Sequence, residues 1–242
     1  MDTDQTALKW KSMYRLGALC GVLVLILSIS EMLLTALPAG SRVASDFSDG
    51  AAWLVFFENN TFMALRNLGL INILASTLMI PVFFSLFGLY IKENVVFAGF
   101  SLVLFLVSYA VFMADNTALA MLSLSNKWQQ SPDTSQRLML ESAAEAMIAR
   151  GRSHTAGTFP GFLLSEISSM CMSLVILQGG FFKKVVGLLG LVAFSCMLVF
   201  EVVLSFISGL APLAMYFAMA GGVLALIWYF LLTRGLWQAS SK

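Results

Sequence analysis

Charged residues are scarce in this chain, and their scarcity excludes most classes of soluble protein. Asp, Glu, Lys and Arg make up 11% of the 242 residues, while 59% are hydrophobic and the mean hydropathy is +0.87. An ordinary soluble domain carries about 25% charged residues, which keep its surface in water. The formal net charge is only +1 and there is no basic patch, which argues against binding to nucleic acid. The composition therefore predicts an integral membrane protein whose first partner is the lipid bilayer.

Histidine and cysteine are also rare, which excludes several metal and cofactor chemistries. The single histidine, His154, leaves no haem site with two histidines and no three-histidine zinc site. The three cysteines fall inside apolar segments, so we expect them to pack as small core residues. The sequence motifs of phosphate-binding loops, serine hydrolases and zinc proteases are absent. We therefore expect no cofactor, and we rank an enzyme behind the other functional classes.

Six apolar runs are each long enough to cross a bilayer, which takes about 20 helical residues. They predict an all-α fold in which residues 1–242 form one membrane domain. The domain is expected to be a bundle of six transmembrane helices with an additional outer amphipathic helix. The predicted spans cover residues 16–37, 66–91, 94–114, 155–178, 185–207 and 213–233.

Basic residues near the span ends predict the orientation of the chain, because short cytoplasmic loops are enriched in Lys and Arg. One side has eight basic residues close to span ends. The other has six, spread over longer loops that also hold seven acidic residues. We therefore expect a multi-pass protein of the cell membrane with both termini in the cytoplasm. The eight residues on the cytoplasmic side are Lys9, Lys11, Arg15, Lys92, Lys183, Lys184, Arg234 and Lys242.

Two segments on the outer side carry apolar residues of their own. Residues 53–57 are too short to cross the bilayer, and we interpret them as a foot in the membrane interface. Residues 133–150 predict an amphipathic helix with Asp133 as its N-cap. This helix either lies on the outer membrane surface or covers the mouth of a cavity. Its apolar stripe is formed by Leu140, Ala143, Ala144, Met147 and Ile148. Its outward polar face is formed by Arg137, Glu141 and Glu145.

Three glutamates stand alone inside otherwise apolar spans: Glu31, Glu166 and Glu201. A carboxyl group in hydrocarbon costs several kcal/mol unless it faces a bundle interior or a water-filled cavity, so each is a candidate functional residue. Small and polar residues recur every three or four positions beside each one, which places all three on helix-packing faces. At about 1.5 Å of rise per residue, they lie between the middle and the outer third of the bilayer, with Glu166 nearest the midplane.

Other polar residues are expected close to the same depth. Asn72, Asp115 and Asn116 are candidates to line an outer vestibule together with the three glutamates. A metal site formed by these glutamates and His154 is a further alternative. Four basic residues are expected at the outer rim, where they can pair with the acids: Arg66, Arg150, Arg152 and His154.

Two classes of function remain open. In the first, a transporter or ligand sensor binds a small cationic, protonatable or lipophilic molecule in an outward-facing cavity lined by carboxyl groups, with Glu166 as the leading residue. In the second, a non-catalytic membrane component acts through a partner protein, and the glutamates are protonated or paired groups that tie helices together. A membrane-embedded enzyme is the third alternative.

The middle of the chain resembles a known prokaryotic family. The segment 116–125 (NTALAMLSLS), the later Ala144-Glu145-Ala146 and Gly157-Thr158-Phe159, and the stretch 177–182 before a basic turn are similar to the six-span domain-of-unknown-function family four-three-eight-six. The similarity is clearest over residues 66–184. It implies a protein of a bacterial or archaeal cytoplasmic membrane whose family has no established activity. Glu31 and Glu201 match no position of the family pattern.

Overall fold

The computed structural model describes residues 3–36, 49–152 and 154–241, and these residues form ten helices and no strand. Six helices are long and apolar enough to cross a membrane, which confirms the predicted all-α bundle with six candidate spans. The helices are α1 (Thr3–Ala36), α2 (Gly50–Asn59), α3 (Thr61–Asn67), α4 (Leu70–Tyr90), α5 (Val95–Asp115), α6 (Ala118–Gln130), α7 (Thr134–Gly151), α8 (Phe159–Gln178), α9 (Lys184–Phe206) and α10 (Ala211–Ser241).

Several span ends differ from the prediction, because hydropathy marks only the apolar part of a helix. α1 and α10 continue into polar residues well beyond the predicted starts and ends, and Leu37 lies outside the described residues. The predicted span 66–91 was too long, since Arg66 belongs to α3. Gly69 separates α3 from α4 with φ 90°, a left-handed conformation that glycine adopts without steric cost.

The six long helices form a ring in chain order. α1 packs on α4, and each following span packs on the next until α10 returns to α1. Small residues allow these close approaches: a Cβ atom on Gly21 would stand 2.3 Å from Thr233 Oγ1, and one on Gly187 would stand 2.7 Å from the Ser173 carbonyl oxygen. Such contacts bring helices together in lipid, where no hydrophobic force between spans does so.

The ring has two dissimilar ends, which we call the terminal end and the cap end. The terminal end holds the start of α1 and the end of α10, and its interior is filled by apolar side chains. An aromatic layer closes this core toward the centre of the ring. Phe83 stacks on Phe105 with ring centroids 4.2 Å apart, and Phe194 meets Trp228 edge-on at 5.0 Å.

The cap consists of α2, α3, α6 and α7, which pack on one another around a second hydrophobic core that the sequence did not predict. The interpretation of residues 53–57 as an interfacial foot is wrong. Trp53 and Leu54 have no exposed surface, because α6 and α7 supply a protein surface that buries them. The core residues of the cap are Trp53, Leu54, Phe57, Ala64, Leu68, Ala118, Met121, Ala144 and Ile148.

The predicted amphipathic helix is present as α7, with Asp133 as its N-cap. The Ser135 hydroxyl and amide donate hydrogen bonds to the Asp133 carboxylate, and these bonds lower its pKa. The predicted outward face is confirmed for Arg137 and Glu145, which are exposed, whereas Glu141 is half-buried; all three side chains also contact the cap. Trp128 Nε1 donates to Glu141 at 2.9 Å, the Gly50 amide donates to Glu145 at 2.6 Å, and the Arg137 guanidinium lies 5.2 Å from the Trp128 ring centre.

Candidate functional site

A cavity of about 430 Å³ opens inside the cap half of the ring. Side chains from all six long helices line it, and Glu31, Glu166 and Glu201 are among them. The small residues that share a helix face with Glu166, such as Ser165 and Ser169, leave the space that larger side chains would fill. Pockets of about 300–1,000 Å³ with a few converging polar groups are typical of sites for small molecules.

Glu166 is the most isolated of the three carboxyl groups. Its residue is 7% exposed, and its Oε2 atom is buried without a hydrogen-bond partner. The nearby Ser173 hydroxyl donates to the Ser169 carbonyl one turn earlier at 2.8 Å. Glu201 on α9 and Tyr229 on α10 line the same cavity. An unpaired polar atom at this depth costs about 1–3 kcal/mol, so its retention calls for an explanation.

Among the acids whose burial the structure describes, Glu201 has the least exposed surface, and one hydrogen-bond partner holds it. It is fully buried, and its Oε1 atom is 2.7 Å from His154 Nδ1, while its Oε2 atom has no partner. His154 has φ 58°, an uncommon backbone conformation for a residue other than glycine. Its ring stacks on Phe162 and meets Phe200 edge-on, each at 4.9 Å between centroids. The imidazole therefore stands between Glu201 and the cap end of the cavity.

Glu31 differs from the other two glutamates because a guanidinium neutralises it. Arg66 Nη2 is 2.7 Å from Glu31 Oε1, and Arg66 Nε donates to Glu31 Oε2 at 3.1 Å. Arg66 also donates to the Thr35 hydroxyl and to Asn67 Oδ1. The arginine side chain is 4% exposed and the glutamate side chain 34%. This ion pair ties α1 to the cap, and the two-point geometry is the stronger form of such a contact.

Aromatic rings form much of the cavity wall around the carboxyl groups. Phe112, Phe162 and Phe200 lie toward the cap, and Phe194 and Tyr229 lie toward the centre of the ring. Aromatic faces attract cations, most strongly where water is excluded. This wall was not predicted. The cavity-lining positions 218, 222, 225 and 229 of α10 follow a helical period, but Tyr229 is the one aromatic residue among them.

The remaining predicted site residues are divided between the cavity and the junction of α5 with the cap. Asn72 lines the cavity. Asp115 and Asn116 do not, because they lie where α5 ends: Asn116 bonds the Leu68 carbonyl and the Ala118 amide, and Asp115 lies 3.4 Å from Arg150. The described contacts of Arg152 are made by its backbone, whose carbonyl accepts bonds from threonine hydroxyls. The vestibule predicted for Asp115 and Asn116 is therefore wrong.

The metal alternative is not formed by these side chains. Across residues 3–36, 49–152 and 154–241, no three His, Cys, Asp or Glu side chains are grouped closely enough to hold a metal ion. The glutamates are separated by their different partners: Glu31 is drawn to Arg66 at the ring wall, while Glu201 is held by His154.

No family model, curated protein or solved structure matches this chain. The resemblance carried by residues 116–125 therefore stays a prediction. Within the structure, most of that segment lies in α6, where Ala118 and Met121 belong to the core of the cap.

Proposed function

We propose that this protein binds or transports a small cationic or protonatable molecule in the cavity of the ring. One observation carries the proposal: Glu166 and Glu201 are both buried at the cavity wall, and each keeps one carboxyl oxygen without a partner. Glu31, Glu166 and Glu201 line this space, while Arg66 and His154 are the basic groups paired with Glu31 and Glu201. An ammonium group beside Glu166 would give this carboxyl group a partner, while Glu201, whose side chain has no exposed surface, lies behind the cavity wall.

The aromatic wall supports an organic cation over a metal ion as the ligand. Phe162, Phe200 and Tyr229 offer ring faces and apolar surface, whereas Mg²⁺ and Ca²⁺ need six or more oxygen ligands. Within this proposal, His154 positions Glu201, and Glu166 receives the charge of the ligand.

The test is a binding measurement with a simple amine. We expect hexylamine to raise the unfolding temperature of the purified protein, and hexanol, its neutral counterpart, to have no effect. Glu166→Gln, which keeps the shape of the side chain, should abolish the shift without loss of fold. Glu58→Gln is the matched control, because Glu58 is exposed on the cap. An equal shift by hexylamine in Glu166→Gln would reject the role of Glu166.

A non-catalytic component that acts through a partner protein is the second candidate, and the geometry of Glu31 favours it for that residue. Its ion pair with Arg66 has the form of a helix tie. If no amine stabilises the wild-type protein and all three Gln variants keep both fold and cellular phenotype, the glutamates are ties and this candidate replaces the first.

We also infer that the cap lies outside the cell and that both termini lie in the cytoplasm. Support comes from the basic residues at the terminal end, among them Lys183 and Lys184, the N-cap and the first residue of α9; Lys242 lies outside the described residues. A membrane-impermeant maleimide should label Ser142→Cys on α7 in intact cells and should not label Gly180→Cys at the terminal end. The reverse pattern would invert the topology.

A further inference from the structure

We propose that the cavity is entered sideways from the lipid, through a gap between α1 and α10, and that its ligand is an amphiphilic amine with a long alkyl chain. The proposal rests on the proposed function, because the amine is placed at Glu166. It adds the class of molecule and the route, neither of which follows from the carboxyl groups alone.

The gap is located by residues that line the cavity and yet remain exposed at the surface of the ring. Met32 on α1 lines the cavity and is 50% exposed. On α10, Ala218, Gly222 and Leu226 also line it and are half-buried. A Cβ atom added to Gly222 would meet no atom within 4 Å. The Cβ position of Gly222 thus faces open space beside the cavity, and the proposal takes this space to be continuous with the exposed surface at Met32.

The same pair of helices is closed farther toward the terminal end. A Cβ atom on Gly21 of α1 would stand 2.3 Å from Thr233 Oγ1 of α10. From Gly21 to Ser28 on α1, and from Thr233 to Leu226 on α10, the distance along each axis is about 10 Å. The opening is therefore confined to the half of this seam that faces the buried carboxyl groups.

Described contacts cross three of the other seams of the ring near the level of the cavity. Between α4 and α5, the Thr77 and Tyr109 hydroxyls are 3.1 Å apart. Between α5 and α8, Ser108 donates to the Gly161 carbonyl at 2.9 Å. At the α9–α10 seam, a Cβ on Gly221 would stand 3.0 Å from the Ala193 carbonyl oxygen.

The two remaining routes are also occupied. The Arg66–Glu31 ion pair stands where α1 meets the cap beside α4. His154, stacked on Phe162 and paired with Glu201, stands between α8 and α9 at the cap end. Among the described residues, the α1–α10 seam is thus the one where a cavity-lining glycine has open space at its Cβ position.

The chemistry of this gap selects the ligand. Its edges are formed by Met32, Ala218, Gly222 and Leu226, with Ser28 as the one hydroxyl side chain. Such a surface offers contacts to an alkyl chain and gives a free ion no substitute for its water shell. A long-chain amine in the bilayer holds its head at the membrane interface. In this proposal the head moves through the gap to Glu166 while the chain remains in the gap.

The experiment compares dodecylamine with hexylamine on protein in lipid nanodiscs, with empty nanodiscs subtracted. Gly222→Phe fills the gap from α10. Its control is Gly180→Phe, because Gly180 also has open space around its Cβ position but lies in the turn before α9. Because Gly222 also lines the cavity, both amines should bind Gly222→Phe more weakly, and we expect the loss to be about tenfold larger for dodecylamine than for hexylamine.

A second variant, Met32→Trp, narrows the gap from α1 and should likewise weaken dodecylamine binding more than hexylamine binding. This variant tests the proposal if Gly222→Phe does not fold. Unchanged dodecylamine binding in these variants would overturn the placement of the alkyl chain in the gap, and with it the proposal, as would an equal loss of both amines in a folded variant. If neither amine binds the wild-type protein, the proposed function fails first. The two failures are therefore distinguishable.

Discussion

The two halves of the ring are built from the same six helices but use their interior differently. In the terminal half, side chains fill the space, and Phe83, Phe105 and Trp228 are almost completely buried against one another and their neighbours. In the cap half, the interior holds a cavity of about 430 Å³ and two carboxyl groups with unpartnered oxygens. Close packing stabilises a fold, whereas open space and unsatisfied polar groups destabilise it.

This difference indicates a division of labour along the bundle. The terminal half provides the rigid packing that fixes the six helices relative to one another. The cap half carries groups that are unfavourable for stability and therefore candidates for function. The cap itself, with its own core and the Arg66–Glu31 ion pair, holds the open ends of the helices in place.

The strongest test of the comparison is Trp228→Ala. Trp228 has no exposed surface and packs against Phe194, so its truncation should lower the free energy of unfolding by about 3–5 kcal/mol. Trp237→Ala on the same helix is the control. Because Trp237 is 46% exposed, this variant should lower the free energy of unfolding far less. Unfolding in mixed detergent measures both. Equal losses would mean that the terminal half is not the stabilising one.

Arg66→Ala tests how firmly the cap is tied to the ring. The substitution removes hydrogen bonds to Glu31, Thr35 and Asn67 and leaves the half-buried Glu31 carboxylate without its partner. We therefore expect the free energy of unfolding to fall by about 2 kcal/mol. Arg150→Ala is the comparison, because Arg150 is 57% exposed and its pair with Asp115 should contribute less than about 1 kcal/mol. Chemical denaturation of both variants, with Glu31→Gln completing a double-mutant cycle, measures the coupling.

Glu166→Leu distinguishes a functional carboxyl group from a helix tie. If the buried Oε2 atom is unsatisfied, as the structure has it, an apolar side chain of similar size should stabilise the protein by about 1 kcal/mol. The same variant should lose amine binding. A destabilised Glu166→Leu would show instead that the carboxyl group holds helices together.

The smallest expected effect lies at the start of α7. Because Ser135 lowers the folded-state pKa of Asp133, this N-cap stabilises the helix above the unfolded value of 3.8 and loses that contribution as the pH falls through the lower folded value. Hydrogen exchange at the first turn of α7 should therefore accelerate relative to its last turn below pH 3.8. Asp133→Asn, which does not titrate, should show no such change.

Much of this fold could be predicted from local sequence, because a membrane span is a local property. The length of the apolar runs predicts the six long helices, and the spacing of Gly17, Gly21 and Ser28 predicts that Glu31 faces protein. The cap could not be predicted in the same way. Its helices are short, and residues such as Trp53 are buried only because α6 and α7, distant in sequence, pack over them.

The acidic residues of the site could be predicted from the sequence, but the residues that contact them could not. That Glu166 and Glu201 line one cavity follows from their depth and their small-residue faces. That His154 holds Glu201 depends on a left-handed backbone conformation and on two flanking aromatic rings, which no pattern in the sequence specifies. The open space at Gly222 depends likewise on how far apart two packed helices stand.

The closure of the ring by its first and last spans has a consequence for biogenesis. Helices leave the ribosome in order, so α1 has no α10 to pack on until more than two hundred residues have been translated, as the pairing of Gly21 with Thr233 requires. Glu31 can form its ion pair much earlier in synthesis, because Arg66 follows it after 35 residues. During insertion the nascent bundle is therefore an open arc facing the lipid, with its first carboxylate already neutralised and the seam between α1 and α10 the last to be sealed.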